Sequence, residues 1–342
     1  MAGMDVGVMK KACFVVLLCG ATALSPHAVQ ATEVTGAGSS FAAPLYESWS
    51  AGSAKSIDVR VNYQTIGSGG GQNQVLAGTV DFGASDAPMA HDRLVAGHLV
   101  QFPTAIGGVV VAANVPGVPD GALRLTGPVL ADIFAGTITD WNDPRIVALN
   151  PDLSLPAIPI VPLHRADASG TTYVFTDYLS QTSPQWKEGV GRSTSVAWPV
   201  GAGARGNDGI AIYVRNTDGS IGYLEYAYAR RNHLPTVQLQ NREGEFVKPS
   251  AENFAHAAEN AHWDPQDMTA SLCDTAGTGS WPIVTTTYVL MPAVSTDKNN
   301  GKGVRQFFQW GLTQGGAIAH TLDYVPLPAS VRDDVLKRIA TD

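Results

Sequence analysis

The sequence predicts an α/β fold on three observations. Short runs rich in β-branched residues alternate with helix-period segments. Helix-like segments begin directly after Gly/Ser-rich turns, the usual strand-to-helix junction. And 342 residues with 44% hydrophobic content are enough for one large or two ordinary domains around a sizeable core. The chain shows no internal repeat, low-complexity tract or charge run, and no linker rich enough in Pro, Gly or Ser to mark a boundary.

At the N-terminus, Lys10 and Lys11 precede the apolar run ACFVVLLCGATAL at 12–24, and Val29, Gln30 and Ala31 supply small residues at cleavage positions. This is the pattern of an export signal over residues 1–31, with the mature chain starting near Thr32. The run is too short to span a membrane, which needs about 20 apolar residues. Cys19 follows Leu18 where a lipoprotein acceptor follows a small residue, which argues against lipidation. Removing residues 1–31 takes away Cys13 and Cys19, so Cys273 is left alone and no intrachain disulfide is expected. The stretch around it, SLCDTAGTGS, reads as a surface loop with an incidental thiol.

Along the mature chain, strands are expected at VRVNYQTI (59–66), TVDFGAS (79–85), AIGGVVVAANV (105–115) and IVTTTYVLM (283–291). Helices are expected at SFAAPLYESWSAG (40–52) and GGQNQVLAG (70–78). Four turns carry the chemistry: TGAGSSF (35–41), IGSGGG (66–71), GASDAP (83–88) and RADASGTT (165–172). Helix N-termini expose unpaired N–H groups and the positive end of the dipole, and glycine lets a backbone approach closely, so such turns cradle a tetrahedral oxyanion when they converge. Ser169 ahead of an apolar run would serve as an ordinary N-cap by itself. Arg165 is what a cap leaves unexplained, because its fork of donors suits an anion.

Other chemistry is disfavoured. The formal net charge of −8 argues against holding nucleic acid or acidic membranes by bulk electrostatics. IGSGGG lacks the Gly-Lys-Ser/Thr ending of a nucleotide P-loop. GASDA around Ser85 has Ala87 where a hydrolase nucleophile elbow has glycine. His91 with His98, and His256 with His262, lack the spacing and glutamate of a zinc helix.

The motifs TGAGSSFAAPLYESW, VNYQTIGSGGG, TVDFGASDAPM, FPTAIGGVVVAANVPG, HRADASGTT, GNDGIA and IGYLEYAYA, in that order, closely resemble the phosphate-binding proteins of bacterial phosphate ABC transporters. The resemblance covers nearly the whole mature chain. It implies a type II periplasmic-binding-protein fold in which two α/β lobes, joined by two crossing segments, close on a ligand: residues 32–106 plus 284–342 form one lobe and 107–283 the other. It also implies ligand contacts. Ser40 and Phe41 donate backbone N–H groups, with the Ser40 hydroxyl added, and Ser68 donates its hydroxyl and N–H. Asp86 is the one acceptor. Arg165 supplies its fork, braced by Asp167, and Ser169, Gly170 and Thr171 close the cradle. The expectation is a monomeric periplasmic protein that captures inorganic phosphate for the permease and ATPase subunits of an importer, with no cofactor, no metal, no nucleic acid and no catalysis. An exported phosphatase, or an adhesion or signalling protein keeping a phosphate site, are the alternatives.

Overall fold

The computed structural model describes residues 1–4 and 31–340. The body of the expected export signal, residues 5–30, lies outside them. From residue 31 onward the strands run β1 (Thr32–Gly38), β2 (Val59–Thr65), β3 (Phe82–Ser85), β4 (Leu99–Asn114), β5 (Arg124–Leu125), β6 (Val161–Arg165), β7 (Ala202–Ala204), β8 (Ser220–Glu225), β9 (Gln238–Gln240), β10 (Phe246–Val247), β11 (Val284–Pro292) and β12 (Val325–Pro326). Nine of them form one sheet in the order β2-β1-β3-β11-β4-β8-β6-β7, with β12 also on β4, and β10-β9-β5 form a small second sheet. Pairing is parallel within β2-β1-β3 and within β8-β6-β7, and antiparallel where β11 and β4 enter. Helices cover these strands, so β4 and β8 read as nearly unbroken buried runs and not as alternating ones.

Strand β4 ties the sheet together because its two ends serve different neighbours. Leu99–Gly108 pair with β11, and Val109–Asn114 pair with β8. At the change of partner Val109 N–H donates to the Ile283 carbonyl (2.8 Å) and the Trp281 indole N–H donates to the Val109 carbonyl (2.9 Å). The Gly107-Gly108 pair is required by packing: a Cβ on Gly108 would come within 2.2 Å of the Phe254 ring and one on Gly107 within 2.8 Å of Phe41. Pro103 stands inside this central strand, where it cannot donate to the ladder. The register of β11 against β4 shifts there, between Thr287 and Tyr288, and the Thr104 hydroxyl fills in by donating to the Thr287 carbonyl (3.0 Å). Aromatic rings fill the core on each side, with Phe308 in edge contact with Tyr46, Phe82 and Phe102 under β1–β3 and Phe134, Phe175 and Tyr223 in contact under β6–β8.

The four strands expected from sequence are present within a few residues of their anticipated bounds; β4 is the longest extension, beginning at Leu99 because its apolar run is continued by FPTA. The strands β1, β6 and β8 were not anticipated. Their sequences, TEVTGAG, VPLHR and SIGYLE, carry glycine, proline or charge, and pairing with neighbouring strands makes them strands. The helix expected at 70–78 begins earlier, at Ser68, with three glycines in its first turn. They permit close approach: a Cβ on Gly71 would lie 2.5 Å from the Ala37 carbonyl oxygen, and one on Gly69 would lie 2.6 Å from the Ala168 methyl. One expectation is corrected. Cys273 is buried, its thiol against the Val174 carbonyl, and burial pushes its pKa well up, so it is an inert packing residue and not a surface thiol.

Candidate functional site

The four turns singled out by sequence lie at the carboxyl ends of parallel strands, the place where open α/β sheets bind ligands. TGAGSSF ends β1, IGSGGG follows β2, GASDAP follows β3, and RADASGTT joins β6 to the helix Gly170–Thr182. The first three come together around Asp86. Its carboxylate, 2% exposed, accepts from the Ser39 hydroxyl (2.6 Å), the Thr287 hydroxyl (2.7 Å) and the Ser68 hydroxyl (3.5 Å), and its own N–H donates to Ser68 Oγ (3.1 Å). Burial pushes the Asp86 pKa up to about 6, while those hydroxyls and the Arg165 charge pull it down.

The fourth turn supplies the cation. Arg165, with a side chain 2% exposed, places Nε 2.7 Å from Asp167 Oδ1 and pairs Nη2 with Asp167 Oδ2, so the guanidinium plane is fixed by a bidentate partner. Nη1 lies 3.4 Å from the Thr171 hydroxyl, and the Arg165 backbone N–H donates to the Tyr223 hydroxyl (3.1 Å). Burial raises the Asp167 pKa, but the hydrogen bonds and charge of Arg165 outweigh it and hold the carboxyl below the usual range. Ser169 does cap its helix, accepting from Thr172 N–H (3.1 Å). Gly170 is a point of close approach between the two walls: a Cβ there would lie 2.4 Å from Ser68 Oγ and 2.7 Å from Asp86 Oδ2. The cradle therefore holds one buried acceptor, one braced cation and a ring of neutral donors. That combination fits an oxyanion carrying a proton.

The backbone of Ser39–Phe41 is oriented by three tyrosines. Tyr63 donates to the Ser39 carbonyl (2.7 Å), Tyr228 to the Ser40 carbonyl (2.8 Å) and Tyr324 to the Phe41 carbonyl (2.5 Å). Pinning consecutive carbonyls on one side turns N–H groups to the other, and Phe41 N–H meets Ser39 Oγ (2.9 Å) beside Asp86. Ser40 contributes its hydroxyl oxygen as acceptor to the backbone N–H (3.2 Å) and side-chain amide (2.8 Å) of Asn207, at the start of the helix Gly206–Asn216. All eight ligand residues expected from the resemblance, with Asp167, thus lie in or beside the four converging turns. Among the described residues no group of His, Cys, Asp and Glu is arranged to hold a metal ion.

A family model described as a PBP superfamily domain matches residues 25–314. The phosphate-binding protein PstS of Haemophilus influenzae is 47% identical over 335 residues, covering 98% of this chain and 99% of its own length. This chain belongs to the PstS family. The PstS protein of Xylella fastidiosa is 46% identical over 308 residues, covering 90% of this chain and 85% of its own. Two solved structures share the fold: a phosphate-binding protein from Stenotrophomonas maltophilia (TM-score 0.70, 21% identity, 91% of this chain and 95% of that one) and a high-affinity periplasmic phosphate-binding protein bound with phosphate (TM-score 0.71, 19% identity, 89% and 93%). The fold is the type II periplasmic-binding-protein fold.

In this PstS-family chain several site residues were not singled out from sequence. Thr287 looked like strand propensity within TTT (285–287), although the period-2 alternation of a strand puts Thr285 and Thr287 on one face, and the Thr285 hydroxyl does reach the Asp86 carbonyl (3.3 Å). Ser39 was overshadowed by Ser40, and Asn207 lay in GNDGIA without a role. Glu225 is the least expected: fully buried at the end of β8, it accepts Ala227 N–H on both oxygens (2.9 Å each), and its N–H donates to Asn207 Oδ1 (2.9 Å). Burial pushes its pKa up to about 8. A carboxyl raised in the folded state contributes stability that is fully present below its ordinary pKa near 4.5 and is lost as pH rises through about 8. Glutamine mimics the protonated form. The Tm of Glu225→Gln is therefore expected to overtake that of wild type as pH rises from 5 to 8; parallel curves across that range would contradict the assignment.

Proposed function

We propose that the chain captures inorganic phosphate and delivers it to the permease and ATPase subunits of an ABC importer, acting as a monomeric exported protein from which residues 1–31 have been removed. The observation that carries the reading is the presence in one cradle of a buried acceptor, Asp86, and a braced cation, Arg165, whose charge acts on it. Family membership and the names of the relatives support it. The lobes are residues 32–106 plus 284–342 and residues 107–283, with AIGGVVVAAN (105–114) and VTTTYVLM (284–291) as the crossing segments. Phosphate accepts from the Ser40 and Phe41 N–H groups, the Ser40 and Ser68 hydroxyls, the Ser68 N–H, the outer N–H groups of Arg165, and Ser169, Gly170 and Thr171. It donates its proton to Asp86. The protein supplies binding and orientation and no catalysis.

Electrostatics explain how a chain with net charge −8 holds an anion. Asp167 offsets Arg165, so phosphate exchanges its water for preorganised neutral dipoles and one fixed fork, and the surface charge is largely screened beyond about 8 Å at physiological salt. With contacts from both lobes, millimolar phosphate should raise Tm and compact the protein in small-angle scattering. At a thousandfold excess over Kd the gain is about 4 kcal/mol if only the folded form binds. A Tm and a radius of gyration indifferent to phosphate would overturn the reading.

A further inference from the structure

A second feature lies beside the site and shares Asp86 with it. A cavity of about 200 Å³ has Asp86 in its lining, with the helix Gly170–Thr182 on one wall and β11 with the stretch 269–273 on the other. Arg192 is the only cation among its lining residues. Its side chain is 49% exposed; it donates from Nη1 to Asp177 Oδ1 (2.8 Å), and its guanidinium lies 5.1 Å from the centre of the Tyr173 ring. Asp177 has a second donor, Gln181 Nε2 on Oδ2 (3.1 Å), so it keeps a partner when Arg192 turns away. Arg192 offers five N–H donors, and Asp177 is its one hydrogen-bonding acceptor among the described residues.

Resting on the proposed function, we infer that this cavity is the passage by which phosphate reaches the cradle and that Arg192 is an encounter site at its mouth, exchanging Asp177 for the incoming anion. An acidic protein repels a dianion at long range, and Asp177 offsets Arg192 at rest, so the guanidinium attracts the anion at the mouth of the passage as it turns off that carboxylate. Arg192 takes no part in the final cradle, whose cation is Arg165.

Stopped-flow phosphate association tests this, read by intrinsic fluorescence, since Trp198 stacks on Tyr223 behind Arg165. At about 0.01 M salt Arg192→Gln should associate about tenfold more slowly than wild type, and the two rates should converge at about 1 M salt, where the screening length falls from about 30 Å to 3 Å. Asp177→Asn, which frees the guanidinium, should associate faster than wild type at low salt. Equal low-salt rates for Arg192→Gln and wild type would overturn the inference, as would a deficit that persists at high salt, because that marks a structural role. Equilibrium titration separates the two levels: wild type that takes up no phosphate overturns the proposed function and this inference together, whereas normal uptake with unaltered rates overturns the passage alone.

Discussion

Arg165→Lys is expected to weaken phosphate binding about ten- to a hundredfold in isothermal titration, or about 1.4 to 2.8 kcal/mol. The structure gives the reason. Asp167 takes one N–H from Nε and one from Nη2, which fixes the guanidinium plane and leaves the outer donors aimed as a fork past Thr171. Lysine keeps the charge but presents it as a single point on a flexible stem, with no second donor held in register. If Arg165 served only to pair with Asp167, the lysine variant, able to make that pair itself, would bind phosphate as wild type does.

The second large effect concerns selectivity. An ionised carboxylate only accepts hydrogen bonds, and of the roughly four acceptor positions on Asp86 the hydroxyls of Ser39 and Thr287 take two, while the long Ser68 contact (3.5 Å) is given up when that hydroxyl turns to the ligand. Phosphate near neutral pH always carries a proton to place on an acceptor position left open. Sulfate carries none, and setting a bare oxygen against a buried carboxylate costs several kcal/mol. Asp86→Asn can turn an NH2 toward that oxygen, so the phosphate-over-sulfate preference should shrink by about a hundredfold or more, with sulfate gaining affinity. Asp86 also brings a pH dependence. With a pKa near 6, Asp86 is mainly ionised at pH 7 and mainly protonated at pH 5, where it becomes a donor. Sulfate exclusion by wild type should therefore relax as pH falls through about 6, and Asp86→Asn should not show that transition. A preference unchanged by the substitution would remove Asp86 from the selectivity account.

What could be read from sequence divides along physical lines. The α/β class, the long strand at AIGGVVVAANV and the four turns follow from local composition, and Arg165 stood out because a helix cap has no use for it. Asp86 was legible only through the resemblance, since an aspartate after a strand is otherwise an ordinary turn residue. Thr287 donates to Asp86 from 201 residues away, and the tyrosines that pin Ser39–Phe41 come from β2, from the helix Tyr226–Arg231 and from just before β12. Such partners are set by tertiary packing and leave no local pattern. Cys273 shows the reverse error: a polar stretch reads as exposed, yet an isolated bridge to Ile283 and contact with Val174 bury it.

The central claim, a cradle matched to a protonated oxyanion, is tested most directly by titrating the wild-type protein with phosphate and with sulfate at pH 7 in one buffer. The account predicts tight, saturable uptake of one phosphate per chain and sulfate weaker by at least about a hundredfold, the equivalent of about 2.8 kcal/mol. Sulfate binding as tight as phosphate, or no heat with either, would contradict it.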